Sequence, residues 1–157
     1  MITRWEQGRA IVDRLIDQER LQKVAPSREL AEVMITRART HLKTAASTAA
    51  SDPTAAFQTA YDGARKALAA ILANQGLRVT TAPGAHATLL EVCMAQLDPP
   101  MGQRLVHFDW MRRTRNQAEY PELDAPEIDE ADVADAVRLG DDILELAEQV
   151  LDAMPVY

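Results

Sequence analysis

Apolar residues recur at three- and four-residue spacing along most of this chain, as in helices that bury one face. In the first such stretch, over about 3–23, Trp5, Ile11, Val12, Leu15 and Ile16 share a side and charges fill the remainder. Pro26 ends it, and Ser27 is placed to cap a second helix over about 28–50. There Ala31, Met34, Ile35, Ala38, Leu42, Ala45 and Ala49 keep the helical period. Asp52 and Pro53 then restart the chain as N-cap and first helical residue. The third helix, over about 53–75, carries Phe57, Ala60, Tyr61, Ala64, Leu68, Ile71 and Leu72 as one stripe, with Gly76 as its stop. The following LRVTTAPGA segment gathers Val, Thr, Pro and Gly and reads as a loop. A lone short strand there has no evident partner.

A fourth helix is predicted over about 86–97, with Leu89, Leu90, Cys93 and Leu97 inward, and a fifth over about 101–119. The fifth is stopped by Pro121, because the residue before a proline is pushed out of the helical region. After the acidic linker PELDAPEIDE, a last helix over about 129–153 places Val133, Val137, Gly140, Leu144, Ala147, Leu151 and Met154 on a seam. That spacing suits packing at a shallow angle, and Gly140 in the seam predicts close backbone approach. The pattern gives one all-α domain over 1–157, an up-and-down helical bundle of five to six helices.

Composition agrees: glycine is scarce, aromatic residues make up 4%, and alanine is abundant, a balance that favours helix over strand. The single cysteine, Cys93, excludes an intrachain disulfide and lies in an apolar run, so a buried thiol in a reducing compartment is expected. No stretch is apolar enough to span a bilayer and the N-terminus lacks a signal-peptide core, so a soluble cytoplasmic protein with no membrane partner is expected. A net charge of −7 argues against broad, sequence-blind binding to nucleic acid but leaves room for a local basic patch. His41, His86 and His107 are scattered over three helices, and no metal motif, phosphate loop or nucleophile elbow is present. No metal or cofactor is expected.

The chemistry-bearing stretch is LVHFDWMRRTRNQAEY, residues 105–120. At about 100° per residue, Met101, Phe108 and Arg115 fall nearly in line, so the core-facing stripe runs into an arginine. A guanidinium keeps its charge and is costly to bury alone. Arg112 and Arg113 lie one turn back, and Asn116 and Tyr120 are one turn apart. Two arrangements satisfy Arg115. It pairs with Glu119 or the acidic linker, as basic residues near a helix C-terminus often do, or it opens onto a cleft.

The RNQAEY segment resembles the Arg-Asn-x-x-x-His signature of the HEPN domains, helical bundles found in bacteria and other organisms. The third helix, AYDGARKALAAILANQGLR, and the loop leading to Gly84-Ala85-His86 are similar to the corresponding parts of bacterial members. The resemblance covers the chain from about 53 to the C-terminus and leaves the N-terminal helix, 1–24, outside. It implies a homodimer in which two signatures meet in one cleft, with Arg115 as the signature arginine and Asn116 as the asparagine. Active members cleave RNA without a metal, and many are toxins encoded beside a nucleotidyltransferase-type antitoxin. Here Tyr120 stands where the family has histidine. Histidine titrates near pH ~6.5 and serves as acid or base, whereas tyrosine, near ~10, is a poor base at neutral pH.

The leading expectation is a HEPN-like dimer binding RNA or nucleotide phosphate around Arg112, Arg113, Arg115, Asn116 and Tyr120. It belongs to a toxin–antitoxin or stress-response module, with weak or no catalysis. A second is a metal-independent endoribonuclease using Arg115 and Tyr120. A third is a structural interaction domain in which Arg115 only forms a salt bridge.

Overall fold

The computed structural model describes residues 5–157. It is an all-α bundle with one small antiparallel ribbon. In chain order it runs α1 (Arg9–Asp17), β1 (Leu21–Lys23), α2 (Arg28–Thr48), α3 (Pro53–Gln75), β2 (Leu77–Val79), α4 (Ala85–Leu97), α5 (Gly102–Leu105), α6 (Phe108–Glu119) and α7 (Glu130–Leu151).

Helix α3 lies at the centre, packed by α2 and α7, which also touch each other, with α4 and α6 against another flank. Its stripe, Phe57, Ala60, Tyr61, Ala64, Leu68, Ile71 and Leu72, is buried throughout. The predicted caps, Ser27 and Asp52, act as the sequence predicts. The Ser27 side chain accepts from Leu30 N, Asp52 accepts from Ala55 N ahead of Pro53, and Asp129 forms a reciprocal capping box with Asp132. Gly140 sits against α2, where an added Cβ would come 2.5 Å from Leu42 Cδ2. Cys93 is fully buried. Among the described residues, no helix is long and apolar enough to cross a membrane.

Three predicted segments differ from the structure. The first helix, expected over 3–23, is only the nine residues of α1; positions 3 and 4 lie outside the described residues. The chain leaves the helix at Glu19, which adopts φ 58°, and then runs extended. Residues 21–23 pair antiparallel with 77–79, Leu21 opposite Val79 and Lys23 opposite Leu77. The stretch expected to be a loop without a strand partner therefore has one. Helical periodicity missed this because the pairing joins residues more than fifty positions apart. Burial of Leu21 and Leu77 stabilises the ribbon, and two further bonds, Val24 N to Gly76 O and Ser27 N to Ala73 O (both 2.9 Å), continue it toward α2.

The long fifth helix, expected over 101–119, is divided into α5 and α6 at Val106–His107. Leu105, Phe108 and Met111 are all fully buried at three-residue spacing. A straight α-helix would rotate such a series by about 60° per step away from the core. A tightened turn, with Asp109 N donating to Val106 O, keeps the three side chains inward.

A candidate phosphate-binding groove

Tyr61 organises the site. Its ring is buried in α3 and stacks on Phe108 of α6, with centroids 5.2 Å apart and planes 23° from parallel. The hydroxyl emerges at the edge of the core and shares a 2.7 Å hydrogen bond with His86 Nδ1 in the first turn of α4. Burial pushes the Tyr61 phenol up to about 12, despite the opposing influence of Arg65, Arg115 and Arg112. It therefore stays protonated at neutral pH. Burial and then the charges of Arg65 and Arg115 push His86 below its ordinary value, with Asp62 acting the other way. Its imidazole is accordingly neutral at pH 7.

Two open cavities meet beside His86. One, of about 530 Å³, lies between α3, α6 and the start of α4, and Arg65, His86, Arg112, Asn116 and the Thr80–Thr81 turn line it. The other, of about 740 Å³, is lined by His41 of α2, Tyr61, Asp62 and Arg65 of α3, His86 and Arg115. Arg65 and His86 border both, so the two form one groove with a shared waist.

The groove is basic on an acidic protein. Arg65 and Lys66 share the Asp62 carboxylate, Arg112 and Arg113 share Asp109, and Arg115 pairs with Glu119 at 2.6 Å. Of the Arg, Lys, Asp and Glu side chains that line the groove itself, three are guanidinium groups, Arg65, Arg112 and Arg115, and one, Asp62, is a carboxylate. Burial favours the neutral form of Asp62, but hydrogen bonds from Lys66 and Arg65 outweigh it and hold the carboxyl below its ordinary value. The Arg65, Arg112 and Arg115 side chains are each roughly 30% exposed: packed along their stems, open at their tips.

The residues singled out from sequence divide into two groups. Arg112, Arg115 and Asn116, at i, i+3 and i+4 on α6, reach the groove. Arg113 is largely exposed and does not line it. Tyr120 is the C-cap of α6, 73% exposed, and also lies outside both cavities. Both arrangements proposed for Arg115 occur together, since it pairs with Glu119 while bordering an open groove. Sequence reasoning missed Arg65, Tyr61, Asp62 and His41 as groove residues. Tyr61 read as core, and only the i, i+3 and i, i+4 spacing of Asp62 with Arg65 and Lys66 hinted at a polar cluster beside it. Among the described residues, no group of three His, Cys, Asp or Glu side chains is placed to hold a metal ion.

No protein-family model, curated protein or solved structure matches this chain.

Proposed function

We propose that the groove binds the phosphates of RNA or of a nucleotide, with Arg65, Arg112 and Arg115 as the anion-holding groups and Asn116 as a hydrogen-bonding neighbour. One observation carries this reading: three partly exposed guanidinium groups from two helices border a common groove whose cations outnumber its carboxylates. Guanidinium groups suit phosphate because they offer paired donors in a fixed plane. The overall charge of −7 suppresses adhesion of nucleic acid elsewhere and confines affinity to this patch.

The sequence likeness to HEPN domains adds a setting to the proposal: a homodimer in a toxin–antitoxin or stress-response module beside a nucleotidyltransferase-type antitoxin. The exposed Tyr120 and Leu123, just beyond α6, support a protein contact near the groove. Sedimentation equilibrium of the purified chain tests the dimer directly.

Fluorescence anisotropy with a labelled single-stranded RNA tests the binding site. Losing one charge-assisted contact costs about 1.5–3 kcal/mol, so Arg115→Ala or Arg65→Ala is expected to weaken binding roughly 10- to 100-fold. Contacts to about three phosphates give a log–log salt slope near −2. Equal binding by the unaltered protein and both variants removes the groove from the reading. The competing reading, a structural domain, rests on the 2.6 Å Arg115–Glu119 pair. It predicts that Arg115→Ala changes thermal stability and leaves RNA binding as it was.

A further inference from the structure

Helices α2 and α7 touch, but where the end of α2 meets the first half of α7 they leave an open groove of about 490 Å³. Ala46 and Ala49 of α2 face Ala134 and Val137 of α7 across it. Ala46 and Ala134 are exposed, and Ala49 and Val137 are half-buried. The groove shares no lining residue with the phosphate groove.

Charge is arranged around this apolar floor. Glu130 and Asp141 also line the groove. They stand about three helical turns apart on one face of α7, roughly 16 Å along its axis, with Ala134 and Val137 between them. Among the described residues, the side chain of neither carboxylate has a hydrogen bond or an ion pair. Burial raises the Asp141 carboxyl above its ordinary value, and no paired cation offsets that cost. Arg138, the cation that lines the groove, is largely exposed and leans toward Asp135 at 3.7 Å. Along the whole of α7 seven carboxylates stand against Arg138, so this face repels nucleic acid and other anions.

We propose that the α2–α7 groove docks a basic, amphipathic helix of a partner protein. A groove between two packed helices is the shape that receives the ridge of a third. The small side chains of Ala46, Ala49 and Ala134 let that helix approach closely, and its apolar face covers them together with Val137. A lysine or arginine at each end of the apolar face, about three turns apart, meets Glu130 and Asp141. A small amine meets one of these carboxylates at a time and leaves the apolar floor in water. An extended cationic helix pairs both and covers the floor in one event. This surface is separate from the phosphate groove, and neither reading depends on the other.

The experiment uses the full chain and two synthetic helical peptides of about 18 residues, roughly five turns. One carries alanine and leucine on a single face, with lysines at either end of that face about three turns apart. The other has glutamate in place of each lysine. Calorimetric titration should show saturable one-to-one binding of the lysine peptide and none of the glutamate peptide. Glu130→Gln with Asp141→Asn should weaken binding roughly three- to tenfold. Ala46→Gln with Ala134→Gln leaves the protein's charge unchanged and fills the groove, and should weaken binding by ~10-fold or more. Both alanines are exposed, so this variant is expected to melt with the unaltered chain. In the unaltered protein, amide shifts on peptide addition should cluster at 46–49 and 130–141, a readout that needs no variant. Absence of binding by the lysine peptide overturns the proposal. So does equal binding by the unaltered chain and the two-glutamine variant, which assigns the attraction to overall negative charge. A peptide-free dimer that the two glutamines dissociate overturns it too, by giving the groove to a second copy of the chain.

Discussion

The guanidinium carbon of Arg115 stands 5.9 Å from the centre of the Tyr61 ring, while the same side chain reaches Glu119 at 2.6 Å. The ring face attracts the cation and the carboxylate partly neutralises it. Arg115 is therefore pre-placed at the groove without being left unpaired beside the core. An anion entering the groove competes only with Glu119, whose side chain is itself 41% exposed. Half-exposed ion pairs contribute about 0–1 kcal/mol, so the competition is weak.

Glu119→Gln should accordingly tighten RNA binding, by up to about fivefold, because it removes a competing charge worth no more than about 1 kcal/mol. Thermal stability should change little. Anisotropy titrations at matched ionic strength measure the first effect and thermal denaturation the second. Weaker binding by the variant would show that Glu119 helps to orient Arg115.

His86 should titrate below the ordinary histidine value in the folded protein, since burial, then Arg65 and Arg115, oppose its protonation. The unfolded chain takes up that proton near pH 6.5, so acid favours unfolding. The stability associated with keeping the ring neutral is intact above about pH 6.5 and is lost as pH falls through the lower folded value. NMR titration of the imidazole Cε1–H gives the midpoint directly. Urea midpoints at about pH 7.5 and about pH 5.5 should differ less in His86→Gln than in the unaltered protein.

Gly76 ends α3 at φ 83°, and a Cβ there would come 2.8 Å from the Val24 carbonyl oxygen. Gly76→Ala should cost about 1–2 kcal/mol for the left-handed backbone alone, with the clash added to it. Amide exchange should accelerate in 21–24 and 77–79 more than in α7. Uniform acceleration across the chain would show that the ribbon does not open separately from the bundle.

Gln75 and Gln96 are fully buried and exchange two amide hydrogen bonds, at 2.7 and 3.1 Å. Gln75→Leu leaves the Gln96 amide without that partner and should cost about 1–3 kcal/mol. Replacing both by Leu should cost less than the sum of the single changes, because neither amide is then stranded. A double-mutant cycle in urea measures the difference, and strict additivity would contradict the reciprocal pairing.

Helix ends were the most legible part of the sequence. Ser27, Asp52 with Pro53, and Gly76 each act through local chemistry that needs no knowledge of the fold. The ribbon was not legible, because Leu21 and Leu77 look like ordinary apolar positions until tertiary pairing sets them opposite their partners. The break at Val106–His107 was hidden for a similar reason. Three-residue spacing of Leu105, Phe108 and Met111 is compatible with a slightly drifting helix until all three prove buried.

The groove was legible only along α6. Arg112, Arg115 and Asn116 share a face by spacing alone, so one element revealed them. Arg65, His86 and His41 belong to three other helices, and only packing around Tyr61 brings them to that face. Reading Tyr61 as a core residue was sound for its ring. Its hydroxyl is what links core to groove.

Because α3 is at once the keel of the bundle and the carrier of Tyr61, Asp62 and Arg65, this wall of the groove has no freedom to hinge. A guest must be accommodated by rotation of arginine tips and of the Thr80–Thr81 turn. Structures with the groove empty and filled should therefore superimpose along α3 while the side chains of α6 swing.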